Sequence, residues 1–424
     1  YPLRRQRQMC IRDRLLGLTT AWFLRKSGAE VIVFDRELHV GLETSYANGG
    51  MLHASQASPW NEPGVIFKAL KMLGDEDAAL LIRPRALLRM LPWACAFFLN
   101  SSKKKYRGNL EKNTILADYS LSVLNEHFGF LGDVYDRSDL GTLKIYRTTE
   151  ELAQAKQVAD VCTELNIAHQ TLSPDEVGSL EPALQPICSS LSGGIYFPDD
   201  VSGNAYLFCK KLAAAADSAG ILFELGNNVS EIRASSGQVE AVVGNREIFP
   251  VDACVVAAGS YSPFLTKDLG LKLPVEPIKG YSLTIPTSEW ETCPKVPVID
   301  EHYHAAVCPL GSFMRVAGTA EFAGFDDQIR DRRIANLFSL ARQIYPRYSK
   351  YFEEKNVALW SGFRPMSPDG VGIMGKTKVS GLYLNTGHGH LGWTMAPGAG
   401  KSVADEITKN IEHFSLSGYR LDRF

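Results

Sequence analysis

Gly17, Gly28 and Asp35 stand at spacings that suit nucleotide chemistry. Gly17 sits in an apolar helical stripe, Gly28 stops it, and the short run Val31-Ile32-Val33-Phe34 ends in Asp35. A β-α-β unit of this form points the free amides and positive dipole end of its helix at a diphosphate, while the strand's terminal carboxylate accepts ribose hydroxyls. Counting back from Gly17, the first two glycines of a G-x-G-x-x-G turn fall on positions 12 and 14, which hold Arg12 and Arg14. Beyond Asp35, the polar stretch Glu43 to Gly50 offers Thr44, Ser45, Asn48, Gly49 and Gly50 to wrap amides and hydroxyls around a phosphate or a ring system.

The second concentration of chemistry lies far along the chain. An apolar run from Ala253 leads through Ala258 into Gly259 and Ser260, the form of a parallel strand whose carboxyl end meets a ligand. Near the C-terminus Arg364-Pro365 precedes a block dense in glycine, from Gly387-His388-Gly389 through Leu391-Gly392-Trp393-Thr394 to Gly398 and Gly400. Those glycines let backbone approach a flat ligand, and the helix expected from about Lys401 to Asn410 offers amides to an electron-rich oxygen. Glu301, His302 and His304 lack a further ligand at closed spacing, so they read as loop residues and no metal site is expected.

These residues need a frame, and the chain is long enough to build one. Its 424 residues, 45% of them hydrophobic, support a large core and two domains. Lys and Arg total 45 against 47 Asp and Glu, so no overall field draws the protein to nucleic acid. The 8 cysteines show no C-x-x-C spacing, which fits a reducing, cytoplasmic compartment. No apolar run reaches the ~18 residues a membrane span needs. Leu87 to Leu99, rich in aromatics and followed by Lys103-Lys104-Lys105, has two readings: a partly buried helix with a solvated basic end, or a helix that rests on a membrane surface through 87–105.

The nucleotide rhythm breaks at about Trp60 and returns at Gly193. Between them the pattern is mainly helical, with a strand at Gly141 to Tyr146, a helix over Glu150 to Leu165, and another opened by Ser173-Pro174. A helix over Asn204 to Ala219 and strands at Ile221 to Leu225, Ser230 to Ala234 and Val239 to Val243 follow. From Pro274 to about Leu359 alternating strands at Tyr281 to Ile285 and Met314 to Gly318 turn one face to a cleft, and a helix covers Asp327 to Ile344. The fold class expected is therefore α/β with an α+β cap: a discontinuous nucleotide domain over 15–60, 193–273 and 360–424, and a mixed-sheet substrate domain over 61–192 and 274–359. Residues 1–14 carry five arginines against one aspartate, a poor match to a buried first strand, and are expected to be a non-native leader.

Taken together, the segments 17–35, 43–50, 257–262, 315–321, 360–375 and 385–400 resemble the flavin-dependent D-amino-acid oxidase superfamily, most closely its bacterial D-amino-acid dehydrogenase branch. The resemblance implies a glutathione-reductase-type domain holding noncovalent FAD, and oxidative deamination of a D-amino acid to a 2-oxo acid and ammonia by hydride transfer to flavin N5. It places Arg364 on the substrate carboxylate, a task for which a planar guanidinium suits better than an ammonium. Tyr281 and Tyr303 are its candidates for a hydroxyl on that carboxylate or a pocket wall. Cofactor contact is expected at Gly17, Asp35, Thr44, Ser45, Asn48, Gly49, Gly50, Val229, Ala258, Gly259, Gly387, His388, Gly389, Leu391, Gly392, Trp393 and Thr394. The amides of 391–394 would face negative charge developing near flavin N1 and O2. The electron acceptor implied is a quinone or another acceptor, met at the inner face of the bacterial membrane. Two rival readings are oxidation of another small amine (hydroxyproline, glycine or sarcosine) and a non-catalytic apo-protein whose diphosphate turn is blocked by Arg12 and Arg14.

Overall fold

The computed structural model describes residues 7–11, 14–65, 69, 73–76, 78–245, 247–410 and 414–424. Its nucleotide end is a six-stranded sheet in the order Ile373–Lys376, Leu382–Thr386, Ala253–Val256, Arg7–Ile11, Glu30–Asp35, Leu222–Leu225. All neighbouring pairs run parallel except Ile373–Lys376 with Leu382–Thr386. Arg7–Ile11 thus fills the middle of the sheet, with Cys10 opposite both Val33 and Val255. For residues 7–11 this corrects the expectation that the first fourteen residues are a poor match to a first strand and stand outside the fold. Ladder bonds use backbone groups, so two well-formed flanking strands can recruit a segment whose own residue pattern is poor. Arg12 lies outside the described residues.

The helix Leu15–Lys26 follows, with Gly28 at a φ of 89° just beyond its end, the left-handed position that stops a helix. It is buried along its length from Leu15 to Leu24 and packs on the helix Gly392–Thr408. That second helix starts well before the expected Lys401. Gly398 and Gly400 lie inside it, and their role is packing rather than ligand approach. A Cβ at Gly400 would stand 2.8 Å from the Thr19 backbone, and one at Gly398 2.9 Å from Ser120 Cα. The absent side chains let three helices close on one another.

The other half of the molecule is a nine-stranded mixed sheet in which Glu276–Pro286 lies between Ala358–Met366 and Phe313–Phe322. Gly193–Phe197 and Ala358–Met366 belong to this sheet, not to the nucleotide sheet where the boundaries at 193 and 360 would place most of them. Each pairs antiparallel with a cap strand, and alternation in a short run does not say which sheet supplies the partner. The helices expected over 150–165 and 204–219 are present as Thr149–Glu164 and Ala205–Ser218. Ser173 caps its helix through a reciprocal pairing with Glu176. Asn204 accepts from the amides of Tyr206 and Leu207.

Candidate functional site

The two halves enclose a cavity of about 890 Å³, and a second of about 260 Å³ lies beside the end of the nucleotide sheet. The turn after Ala253–Val256 touches both, since Ala257 and Gly259 line the larger and Ala258 the smaller. Asp35, Val229 and Ala258 line the small cavity with Arg36, Asn228 and Tyr261. Asp35 closes the turn that follows it by accepting from the Glu37 amide at 2.8 Å.

In the large cavity the expected Thr44, Ser45, Asn48, Gly49, Gly50, Gly259, His388, Gly389, Gly392 and Trp393 all lie on the wall. Gly17, Gly387, Leu391 and Thr394 do not line either cavity. Gly17, the third residue of its helix, is buried behind Leu15 and Leu16, which do line the cavity, and the Thr394 hydroxyl accepts from the His53 amide. The 43–50 loop is pinned through its acceptors: Ser282 donates to the Ala47 carbonyl at 2.8 Å and Arg315 to the Asn48 carbonyl at 2.9 Å. Burial lowers the Arg315 pKa to about 10, against the opposing influence of Cys308 and Tyr46.

Arg364 lines the cavity at the seam between the two sheets. Its strand pairs with Glu276–Pro286, Arg364 opposite Ile278 and Gly362 opposite Gly280. A Cβ at Gly280 would meet the guanidinium at 2.4 to 2.6 Å, so the glycine makes the room Arg364 occupies. Arg364 Nη1 donates to the Thr319 carbonyl at 3.1 Å, and the guanidinium stands 5.7 Å from the Trp60 ring centroid. Among the described residues no carboxylate pairs with it, and desolvation alone lowers its pKa to about 10. A guanidinium held dry without an acid is a receptor for an anion, and its planar fork matches a carboxylate.

Thr319 is a site residue that sequence reasoning missed. It has a φ of 55°, where β-branched residues rarely stand, lines the cavity, and buries a hydroxyl that has no partner among the described residues. Its only sequence signal was membership of the 315–321 segment. Besides His302 and His304, three imidazoles line the cavity: His53, His388 and His390, with His390 stacked on Trp60 at 5.3 Å. Desolvation is the largest cause in each and holds them uncharged, His53 at about 4 and the other two at about 3. Both ring nitrogens of His388 are buried without a hydrogen-bond partner among the described residues.

The two tyrosines depart from expectation. Tyr281 lines the cavity, but its hydroxyl donates to Glu321 at 2.5 Å, and burial together with that carboxylate raises its pKa. It can form a wall but does not offer its hydroxyl to a substrate carboxylate. Tyr303 is off the cavity, packed 4.7 Å from the Arg147 guanidinium and edge-on to His302. The flanking His302 and His304 line the cavity in its place. Glu301 also lines it and pairs with Lys144 at 2.5 Å, which makes this stretch the far wall rather than a free loop.

The residues around the two cavities fit a flavin dinucleotide. Among the described residues no side chain caps the start of the Leu15–Lys26 helix and no acid stands in its first turn, so its N-terminal amides are suited to an anion where Arg14, Leu15 and Leu16 reach the large cavity. Gly49, Gly50, Gly259, Gly389 and Gly392 give that cavity a wall of exposed backbone, and His388 adds unpartnered polar atoms. Asp35, on the smaller cavity, would meet the adenosine ribose. FAD, when bound there, would supply the hydride acceptor.

Comparison with known proteins agrees with this assignment. A family model described as DAO, FAD dependent oxidoreductase, matches residues 15–406. The D-amino acid dehydrogenase of Methylobacterium nodulans is 38% identical over 410 residues, covering 96% of this chain and 97% of its own. That of Vibrio vulnificus is 38% identical over 394 residues, 93% of this chain and 94% of the relative. The crystal structure of glycine oxidase from Geobacillus kaustophilus superposes with a TM-score of 0.78 at 22% identity, covering 99% of each chain, a likeness of fold. The chain belongs to the DAO family of FAD-dependent oxidoreductases.

Proposed function

We propose that the protein oxidises a D-amino acid to its imino acid, which water converts to a 2-oxo acid and ammonia. The observation that carries this is Arg364, a guanidinium on the cavity wall with a carbonyl and an aromatic face for neighbours and no acid. It anchors the substrate carboxylate bidentately, which fixes the α-carbon against the cofactor face. The Thr319 carbonyl holds the guanidinium in place, and Tyr281 forms part of the wall. His53, His388 and His390, held uncharged by burial, add no positive charge of their own against the substrate amine at neutral pH. The D configuration follows the relatives named D-amino acid dehydrogenase.

The electrons go to a membrane quinone in this reading. Among the described residues no helix is long and apolar enough to cross a membrane. The helix Pro84–Leu99 buries Met90, Trp93 and Phe97 against the strands that carry Arg364 and Tyr281, while Leu88, Leu91, Cys95 and Leu99 are exposed on its outer side, ahead of exposed Lys103 to Lys105. An apolar stripe followed by lysines suits an anionic lipid surface. The test is turnover with a soluble quinone as acceptor on D-alanine, L-alanine, glycine, sarcosine and hydroxyproline. D-alanine is expected to lead by at least tenfold; equal or better turnover of any of the others overturns the assignment.

A further inference from the structure

Between the two cavities the structure places a chain of alternating charges. Arg14 lines the large cavity and Arg36 the small one. Glu43 joins them, 2.5 Å from Arg14 and bonded on its other oxygen to Arg36. Arg14 also donates to the Thr44 hydroxyl at 3.1 Å, and Thr44 donates in turn to the Phe363 carbonyl. The Arg14 side chain is nine-tenths buried, and its Nε has no acceptor among the described residues. Burial pushes the Glu43 carboxyl up, but the two guanidinia outweigh it and hold it below its ordinary range. A dinucleotide with its rings in the two cavities must run its diphosphate past this bridge, at the N-terminus of the Leu15–Lys26 helix, where Arg14 stands in place of the small residue such a turn normally carries.

We propose that Arg14, Glu43 and Arg36 form an exchangeable bridge in which Arg14 gives up Glu43 and takes the FAD diphosphate as its counter-ion. In the open protein the glutamate keeps the buried guanidinium from standing unpaired. In the loaded protein a diphosphate answers both arginines with more charge, and Glu43, which is partly accessible, turns out to water. Arg14 is then a phosphate-binding side chain where related turns use backbone amides alone, and Glu43 is a competitor of the cofactor. The inference rests on the FAD dependence of the family and not on the identity of the amine.

The test is equilibrium titration of the full-length protein, stripped of flavin, with FAD and separately with riboflavin, read by quenching of flavin fluorescence. Glu43→Gln is expected to tighten FAD by about tenfold and Arg14→Gln to weaken it by about tenfold, with riboflavin, which carries no phosphate, moved less than twofold in both. An Arg14→Gln protein that binds FAD more tightly than wild type would show the arginine to be an obstruction and overturn the proposal. Parallel changes for FAD and riboflavin, or none for either variant, would overturn it as well. A wild-type protein that takes up no FAD would instead refute the cofactor assignment, and this inference with it.

Discussion

Two arginines of the same cavity face opposite electrostatic situations. Arg14, at the nucleotide end, is answered by Glu43; Arg364, at the amine end, is answered by no acid among the described residues. A buried cation that has an internal counter-ion costs little to hold, and a ligand must compete with that ion for it. A buried cation without one is a standing cost to the fold, and an anionic ligand relieves it. The first arrangement suits a cofactor that is loaded once and retained, and the second a carboxylate that arrives and leaves with every turnover.

The contrast can be broken most severely at the amine end. Arg364→Leu is expected to lower kcat/KM on D-alanine by about a thousandfold, equivalent to ~4 kcal/mol, while the melting temperature holds or rises because an unpaired charge has been removed. Steady-state kinetics beside a thermal melt separates the two effects. A smaller but structural break lies behind the site. Glu321 accepts from Tyr281 and pairs with Arg83 at 2.7 Å and with fully buried Lys279 at 3.3 Å. Glu321→Gln should therefore cost about 3 kcal/mol in urea unfolding, since it strips the nearest counter-charge from Lys279.

Giving Arg364 an acid would turn the amine end into a copy of the nucleotide end. Thr319→Asp places a carboxylate beside it, on backbone of positive φ that aspartate accepts more readily than threonine. The expected outcome is a KM for D-alanine raised by about tenfold with kcat changed less, as for lost ground-state binding. The mildest prediction concerns Asp200, a buried carboxyl that bonds Ser55 at 2.5 Å and is pushed up by burial to about 7 from 3.8. Its raised value means that the folded protein holds this proton more strongly than the unfolded chain. Stability is therefore lost as pH rises from about 4 to about 7 and stays lost above. Asp200→Asn should raise the melting temperature at pH 8 by a few degrees, and less at pH 5.

Much of this arrangement was legible in the residue pattern, for reasons that differ by region. The Leu15–Lys26 helix, Gly28 and Asp35 were readable because period, stop signal and terminal acid all agree locally. Arg364 was readable through its resemblance, and the structure adds the absence of an answering acid, which depends on residues far apart in sequence. The strand Arg7–Ile11 was missed because its pairing comes from Glu30–Asp35 and Ala253–Val256, not from its own composition. Gly398 and Gly400 were misread because a glycine at a helix contact and a glycine at a ligand look alike in sequence, and only the nearness of Ser120 and Thr19 separates them. Thr319 was invisible as a strained residue, since nothing in a threonine's neighbours announces a positive φ.

The central claim, that an unanswered arginine receives the substrate carboxylate, is tested most directly by anaerobic reduction of the FAD-loaded protein with D-alanine and with ethylamine, the same amine without the carboxylate. Wild type is expected to bleach far faster with D-alanine than with ethylamine, and Arg364→Leu to abolish this preference by slowing D-alanine while leaving ethylamine unchanged. Bleaching by D-alanine at an undiminished rate in Arg364→Leu would contradict it.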